Sequence, residues 1–195
     1  MTTPDISSFE AIGIESDLSD ALTSQGIASP FPIQVLTIPD ALEGRDVCGK
    51  AKTGSGKTLA FGLPMIQQLD RAHSKKPLAL VLVPTRELAQ QVTTVLDPLA
   101  GVRGFRTTAV YGGAPMGEQT KALRRGVEIV IATPGRLIDL IDRKEILLGD
   151  VRMVAIDEAD QMADMGFLPQ VRRIMSGIST EHQTLLFSAT LDGQV

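Results

Sequence analysis

Residues 49–58 read GKAKTGSGKT and stand between an apolar run and a segment with the length of a helix. The tail Gly56-Lys57-Thr58 ends as a phosphate-binding loop ends, yet the usual pattern has glycine five residues before Gly56, where this chain has Ala51. A loop between strand and helix presents backbone N–H groups and the positive end of the helix dipole to an anion. The stretch is therefore predicted to bind phosphate, with a damaged loop or a chance match as the alternatives.

Each residue type in this loop has a chemical reason to be there. Gly54 and Gly56 allow backbone conformations and a close approach of phosphate that side chains would block. Lys57 can reach the outer phosphates, and the Thr58 hydroxyl can ligate Mg²⁺. Ala51 is predicted to keep φ below zero, because the chain is only leaving the strand there. The predicted nucleotide-binding residues of the loop are Thr53, Gly54, Ser55, Gly56, Lys57 and Thr58.

The composition favours one globular domain. The 195 residues are 43% hydrophobic and 22% charged, which suffices for one substantial core. No apolar run approaches the roughly 18 residues of a membrane span, and the start MTTPDISSFE lacks an export signal, so a cytoplasmic protein without membrane partners is expected. Cys48 is predicted to be a buried structural thiol. His73 and His182 are expected at the surface, with no protein-bound transition metal.

The net charge of -4 is unevenly distributed along the chain. Residues 1–44 contain seven acidic residues and no Lys or Arg, which leaves 19 bases and 16 acids, or +3, in the remainder. Between Arg86 and Arg136 there are seven bases and four acids. This excess permits contact with nucleic-acid phosphates without proving it, and an ordinary solvated surface is the simpler explanation of the charge alone.

Six short apolar runs alternate with amphipathic segments of helical length, such as RELAQQVTTVLDPLA at 86–100. Runs without polar alternation are typical of strands covered on both faces, so an α/β fold is predicted, with a mostly parallel central sheet and helices on both faces. Ligands of such sheets bind beyond the carboxyl ends of the strands. The runs are DVCGKA (46–51), LALVLV (78–83), RTTAVY (106–111), EIVIAT (128–133), RMVAIDE (152–158) and QTLLFSAT (183–190).

An acidic pair follows the fifth apolar run, where MVAID (153–157) ends in Asp157 and Glu158 comes next. A carboxylate at this position can hold Mg²⁺ directly or through water, and its neighbour can activate the attacking water. A cluster that caps a helix is the alternative explanation. Together with the phosphate loop, the pair predicts Mg²⁺-dependent hydrolysis of a nucleoside triphosphate, with Thr58 and Asp157 as the protein ligands of the metal.

Several further motifs occur in order along the chain. They are GIASPFPIQ (26–34) with Phe9 upstream, AKTGSGKT (51–58), PTRELAQQ (84–91), Gly112-Gly113, TPGR (133–136), DEAD (157–160) and SAT (188–190). With these motifs the sequence resembles the DEAD-box ATP-dependent RNA helicases from Phe9 to Thr190. The resemblance implies a RecA-like P-loop domain over residues 45–195, with an N-terminal arm and Q motif over residues 1–44 as part of the same domain, and Ala51 matches that family's own variant of the loop.

For ATP, the resemblance implies that Gln34 selects adenine, since its amide can donate and accept hydrogen bonds together. It implies that Phe9 stacks on the adenine face, with packing in the core as the alternative. It also implies that Ser188 and Thr190 couple hydrolysis to unwinding through hydrogen bonds that involve Asp160, the alternative being a polar strand end. The implied catalytic set is Lys57, Asp157, Glu158, Ser188 and Thr190.

For RNA, the resemblance implies that three strand ends line the backbone of the nucleic acid. Thr-Pro-Gly before a helix is also an ordinary helix start, so the residues alone leave RNA contact open. Contacts to phosphate and sugar predict little sequence preference. The implied RNA-binding residues are Pro84, Thr85, Arg86, Gly113, Thr133, Pro134, Gly135 and Arg136.

The second half of the family's architecture has no counterpart before Val195. The resemblance therefore implies a first domain that works with a C-terminal RecA-like domain of the same parent chain, whose arginines reach the γ-phosphate. Alone, the chain is expected to bind nucleotide, hydrolyse it very slowly and unwind nothing. A bacterial cytosolic enzyme is expected, and ribosomal or RNA-degrading partners stay open. The rival hypotheses are a P-loop DNA translocase or nucleotide kinase, and a non-enzymatic nucleotide-dependent binding module.

Overall fold

The computed structural model describes residues 8–191 and contains one six-stranded sheet whose paired strands all run parallel. Each strand falls within one of the six predicted apolar runs, so the predicted α/β fold with a parallel sheet is confirmed. The strand order across the sheet is β1-β6-β5-β2-β4-β3. The strands are β1 (Val47–Lys50), β2 (Ala79–Leu82), β3 (Thr107–Val110), β4 (Ile129–Ala132), β5 (Met153–Ile156) and β6 (Gln183–Ser188).

Eight α-helices within residues 8–191 connect or flank these strands. A side chain caps the start of α4, where the Thr85 hydroxyl accepts a hydrogen bond from the Leu88 N–H at 3.2 Å. The helices are α1 (Ser16–Ser24), α2 (Pro32–Leu42), α3 (Lys57–Gln68), α4 (Arg86–Val102), α5 (Met116–Arg124), α6 (Pro134–Asp142), α7 (Ala159–Asp164) and α8 (Leu168–Met175), after a 3₁₀ turn at Glu10–Ile12.

The core has two layers, one on each face of the sheet. Successive strand residues point to opposite faces, so Val81 packs with helices α1 to α4 while Leu80 packs with helices α5 to α8. Both side chains are fully buried, and burial of such a side chain stabilises the fold by about 1.5–3 kcal/mol. This double covering explains why β2, β4 and β5 are apolar along their whole length.

The core layer that contains Val81 and helices α1 to α4 also includes the first described residues of the chain. Phe9 is 1% exposed, and Leu18 and Leu22 of α1 are fully buried in the same cluster. Arg103 at the end of α4 fixes the segment from outside, with ion pairs to Glu15 at 2.7 Å and Asp17 at 2.6 Å. The segment from Phe9 to the end of α1 is therefore packed against the sheet-and-helix core.

The single cysteine corrects one sequence prediction. Cys48 is exposed, because among the described residues β1 pairs with β6 alone as the edge strand and buries only Gly49 fully. His73 is exposed as predicted, whereas His182 is partly buried, with Nδ1 2.5 Å from the Ser179 carbonyl oxygen. None of the helices formed by residues 8–191 is long and apolar enough to span a bilayer.

Candidate functional site

The candidate nucleotide site lies at the carboxyl ends of three neighbouring strands, β1, β6 and β5. The loop of residues 51–56 leaves β1 and opens α3, and Asp157 directly follows β5. Ser188 ends β6 between them, and its carbonyl oxygen accepts a hydrogen bond from the Ala51 N–H at 2.9 Å. The parallel sheet thereby brings together two motifs that are about a hundred residues apart in sequence.

The backbone of the loop needs glycine at two positions. Gly54 has φ 82° and Gly56 has φ 89°, both in the left-handed region. A Cβ at Gly56 would lie only 2.5 Å from Gln34 Nε2, so the crowding there reinforces the conformational requirement. Ala51 is not among the residues with positive φ, as predicted from its position at the start of the loop. The departure from the usual glycine pattern therefore causes no backbone strain at Ala51.

A buried ionic cluster connects the loop with the end of β5. The Lys57 ammonium donates a hydrogen bond to Glu158 Oε1 at 2.7 Å and lies 3.6 Å from Asp157 Oδ1. The Thr53 hydroxyl donates to the same Glu158 oxygen at 3.0 Å. Lys57, Asp157 and Glu158 are each no more than 5% exposed. The structure thus brings together three of the predicted catalytic residues and one predicted loop residue.

Burial shifts the proton affinity of one carboxyl in this cluster. Desolvation raises the pKa of Asp157 to about 6, against the opposing effect of the Lys57 charge and with a contribution from the Glu158 charge. The Glu158 N–H donates to Asp157 Oδ1 at 2.9 Å. Glu158 itself has φ 52°, a left-handed conformation that costs of order 1 kcal/mol in a residue with a side chain. Such strain is characteristic of functional sites and accompanies the contact between Glu158 and the loop.

The SAT motif contacts the DEAD motif as the family resemblance implied. The Thr190 backbone N–H and hydroxyl both donate to Asp160 Oδ2, at 3.0 and 3.1 Å, and the Asp160 N–H donates to the Ser188 hydroxyl at 3.1 Å. Desolvation would raise the pKa of Asp160, but the hydrogen bonds from Thr190 and Gln161 hold it below its usual value. The predicted hydrogen bonds are confirmed, whereas the coupling of hydrolysis to unwinding stays a prediction.

Two residues assigned to adenine lie inside the protein. Phe9 is 1% exposed in the core, which favours the alternative of core packing, and its stacking on adenine stays a prediction. Gln34 is fully buried, since its Oε1 accepts from the Phe31 N–H at 2.8 Å and its Nε2 donates to the Gly56 carbonyl at 2.9 Å. A contact between Gln34 and adenine stays a prediction that requires the amide to exchange these partners.

Sequence reasoning missed an exposed aromatic residue beside the loop. Phe31 is 53% exposed, and its Cδ2 lies 2.8 Å from the position that a Cβ on Gly56 would occupy. Its place within the GIASPFPIQ stretch, three residues before Gln34, was the signal that could have identified it. Phe31 therefore has the access to a bound base that Phe9 lacks.

The predicted RNA-binding residues gather at the carboxyl ends of β2, β4 and β3; we call this surface the RNA face. Arg86 and Gly113 meet there, with the Arg86 Nη1 3.6 Å from the Cβ position of Gly113. The Arg136 guanidinium donates to the Ala114 carbonyl at 3.1 Å. Thr85 and Thr133 are half-buried N-cap residues, and Gly135 is exposed.

Two proline residues in this set are placed differently from the prediction. Pro84 and Pro134 are buried, so neither ring is presented on the surface as an RNA contact. Pro134 occupies the first turn of α6, where its fixed φ favours helix initiation and its missing N–H is not needed. The two prolines shape the RNA face from beneath it.

The DEAD/DEAH box helicase family matches this chain over residues 31–195. The chain belongs to this family. Among its DEAD-box relatives, it is 44% identical to DEAD-box ATP-dependent RNA helicase 46 of Arabidopsis thaliana, covering 98% of this chain and 30% of the relative. It is 42% identical to DEAD-box ATP-dependent RNA helicase CshA of Bacillus subtilis, covering 96% of this chain and 38% of that protein.

A solved DEAD-box structure confirms the fold. The crystal structure of a DEAD box protein from Methanococcus jannaschii superposes with a TM-score of 0.88 at 34% identity, over 95% of this chain and 51% of that chain. The chain thus spans roughly a third of the length of its curated relatives and about half of the solved protein. The RecA-like fold implied by the sequence resemblance is confirmed.

The residues of the site fit a magnesium nucleotide. Asp157 supplies a carboxylate and Thr58, half-buried in the first turn of α3, supplies a hydroxyl, and both are oxygen ligands that Mg²⁺ prefers. Within residues 8–191, acidic, histidine and cysteine side chains nowhere form a group of three that could hold a metal by themselves. A metal that takes most of its ligands from phosphate and water fits this donor set.

Proposed function

We propose that this chain is the ATP-binding domain of an ATP-dependent RNA helicase. The observation that carries the proposal is the Lys57 ammonium, which is buried against Glu158 and Asp157 at the opening of a glycine loop and α3. A buried cation at a helix N-terminus suits the phosphates of a nucleotide. The activity named for the relatives belongs to longer proteins, so for this chain it forms part of the proposal.

Lys57 changes partners when nucleotide binds. In the structure its ammonium is held by Glu158 at 2.7 Å. Phosphate oxygens compete for that ammonium, since charge-assisted hydrogen bonds to phosphate are as strong as those to carboxylate. Glu158 Oε1 then keeps its hydrogen bond from Thr53 and loses the one from Lys57, so the carboxylate is no longer neutralised by the ammonium and can accept the proton of the attacking water.

Asp157 acts in its ionised form. The Glu158 N–H fixes one of its oxygens, so the other is left to interact with the bound ligand. Mg²⁺, when bound, would be held by the Thr58 hydroxyl and Asp157, partly through water, and would offset the negative charge of the phosphates. The raised pKa of Asp157 makes this role dependent on pH near 6.

The base of the nucleotide lies on Phe31. This assignment replaces Phe9 and is supported by the exposure of Phe31 next to Gly56. Stacking on an aromatic ring tolerates any base, so discrimination of adenine falls to Gln34. For that role Gln34 turns its amide away from Gly56 and Phe31 as the base binds.

The RNA face holds the backbone of the nucleic acid, with Arg86, Gly113 and Gly135 exposed on it. Contacts of this kind fix position and carry little base information. A C-terminal RecA-like domain of the parent protein completes both sites, and its arginines reach the γ-phosphate. Such arginines contribute roughly 10³ to 10⁵ in rate in comparable phosphoryl transfers, so this chain by itself turns over ATP very slowly.

Nucleotide and nucleic-acid titrations test the proposal. The purified chain should bind Mg·ATP or Mg·ADP more tightly than the guanine nucleotides, and RNA more tightly than DNA of the same sequence. Equal affinity for guanine nucleotides would remove Gln34 as the adenine reader. Phosphate transfer to a small acceptor would favour a nucleotide kinase, and stimulation by DNA alone would favour a DNA translocase.

Glu158→Gln separates binding from chemistry in a longer protein that contains this domain. The variant should keep Mg·ATP binding and lose turnover, because the amide cannot accept the proton of the attacking water. Glu181→Gln, which changes an exposed glutamate near β6, is the matched control. Unchanged turnover in Glu158→Gln would remove Glu158 as the base.

A further inference from the structure

A strongly basic groove lies along α5 and against the segment that follows α6, outside the nucleotide site and outside the predicted RNA-binding residues. It encloses about 830 Å³. Four cations line it against one carboxylate. The charged residues of this α5/α6 groove are Lys121, Arg124, Arg125, Arg143 and Glu145.

The one carboxylate in the groove is already neutralised. Glu145 accepts two hydrogen bonds from Arg124, at 2.7 and 3.1 Å, and pairs with the Lys75 ammonium at 2.9 Å. The side-chain hydrogen bonds from Arg124 and then Lys75 lower the pKa of Glu145 to about 2. The groove therefore keeps its excess of positive charge throughout the physiological pH range.

Three cations remain available to a ligand. Lys121, Arg125 and Arg143 are exposed and have no ion-pair partner within residues 8–191. Asp142, the neighbour of Arg143, pairs with Arg173 instead. Ordinary surface cations are interspersed with acids, whereas these three share one groove without a free carboxylate, which favours an anionic ligand.

The α5/α6 groove begins at the RNA face. Both helices start at the carboxyl ends of the preceding strands. Met116 and Gly117, at the start of α5, line the groove at the end that is nearer to the RNA face. Arg136 in the first turn of α6 connects the two helices there, donating to Gln119 Oε1 at 3.2 Å. The nine residues of α5 extend about 13 Å away from the RNA face, a distance that spans several phosphates of a nucleic-acid strand.

We propose that the α5/α6 groove binds the phosphates of an RNA strand that continues beyond the RNA face. This inference rests on the proposed RNA binding and extends it to Lys121, Arg125 and Arg143. Lys and Arg that contact phosphates bind without base preference. An acidic protein partner is disfavoured because none of the eight residues that line the groove is aromatic, whereas protein interfaces are enriched in aromatic residues.

The test compares two RNA lengths on the purified chain by fluorescence anisotropy at low salt. An RNA of about 6 nucleotides fits the RNA face alone, and one of about 20 nucleotides can also enter the groove. The triple variant is Lys121→Gln/Arg125→Gln/Arg143→Gln. The control is Arg172→Gln, which changes an exposed cation on α8 and is compared with the single variant Arg143→Gln. Circular dichroism of every variant monitors folding.

The triple variant should lose about tenfold or more in affinity for the long RNA and less than about twofold for the short one. Its slope of log affinity against log salt should shrink by about 2, since each single-strand phosphate contact contributes about 0.7. Arg172→Gln should match the unaltered chain. Mg·ADP affinity should not change.

Several results would overturn the inference. Equal losses on both RNA lengths would place the effect outside the α5/α6 groove, and no loss on the long RNA would exclude the groove while leaving the RNA face intact. Competition by polyglutamate of matched charge as strong as by RNA would make it a general anion surface. Failure of the unaltered chain to bind either RNA would instead count against the proposed function itself, and the inference would fall with it.

Discussion

Two sites lie at the same edge of the sheet, and they differ in how far their polar and charged groups are buried. At the ends of β1, β6 and β5 the charges are buried and joined to one another, with Lys57 between Asp157 and Glu158. At the ends of β2, β4 and β3 the polar groups are partly or fully exposed. Buried charges depend strongly on each other, whereas exposed contacts share the binding energy in small parts. Single substitutions should therefore cause large losses of binding and stability in the nucleotide site and small losses of binding on the RNA face.

Lys57→Ala should give the largest effect. It removes the counter-ion of two buried carboxylates, so the free energy of unfolding should fall by about 3 kcal/mol. Affinity for Mg·ADP should fall by about a hundredfold or more, equivalent to about 2.7 kcal/mol. Urea unfolding and calorimetric titration measure the two. Lys52→Ala, an exposed lysine of the same loop, is the control, and comparable losses in both variants would refute the importance of burial.

The two small residues of the loop should differ by about tenfold in their effect. Gly56→Ala places a Cβ against Gln34 at φ 89°, so nucleotide affinity should fall by about tenfold or more. Ala51→Gly should change it by less than about twofold, because Ala51 does not have a positive φ. Titration with Mg·ADP compares the pair. Similar losses in both would contradict the assignment of the close approach to Gly56.

The pKa of Asp157, raised to about 6, makes stability and nucleotide binding vary with pH in opposite directions. The protonated form is favoured in the folded state, so this contribution to stability is fully present below the unfolded pKa of 3.8 and is lost as pH rises through about 6. Binding needs the ionised form, so Mg·ADP affinity at pH 5 should be about tenfold below its value at pH 7.5. Asp157→Asn should flatten the binding profile. A wild-type profile that is flat between these pH values would contradict the role of Asp157.

Arg86→Gln should give the smallest effect. Arg86 is exposed on the RNA face, and within residues 8–191 its only ion-pair partner is its neighbour Glu87, at 3.1 Å. Loss of one phosphate contact among several should weaken RNA binding by about threefold to fivefold at low salt and leave nucleotide affinity unchanged. Anisotropy with a short RNA measures the first and calorimetry the second. A loss of a hundredfold would mean that the RNA face also relies on one dominant charge.

The fold and the buried half of the nucleotide site were predictable because their signals are local. Apolar runs identified the six strands, and parallel strands must place their carboxyl ends together, so Lys57 and Asp157 were expected to meet. The glycine requirement followed from loop chemistry, which also placed Ala51 correctly. The contacts between SAT and DEAD were implied by the family resemblance, and the structure forms them because β6 and β5 are adjacent.

The sequence was least informative where long-range packing determines the surroundings of a side chain. Cys48 is exposed because β1 forms the edge of the sheet. The order of the strands cannot be predicted from the sequence of any one apolar run. Phe9 is buried because the arm packs against α2 and α3, which leaves Phe31 as the accessible aromatic residue. The orientation of the Gln34 amide depends on partners in two other segments, Phe31 and Gly56.

Backbone amide chemical shifts of the purified chain test the separation of the two sites most directly. Addition of Mg·ADP should move the amide signals of residues 53–58, 157 and 158 most, and a short RNA should move those of residues 85, 86, 113, 133, 135 and 136. Glu158→Gln, which retains the binding groups of both sites, should give the same two patterns. If Mg·ADP and RNA shift the same residues, or if Mg·ADP acts mainly on α5 and α6, the account of two physically distinct sites on one sheet edge is wrong.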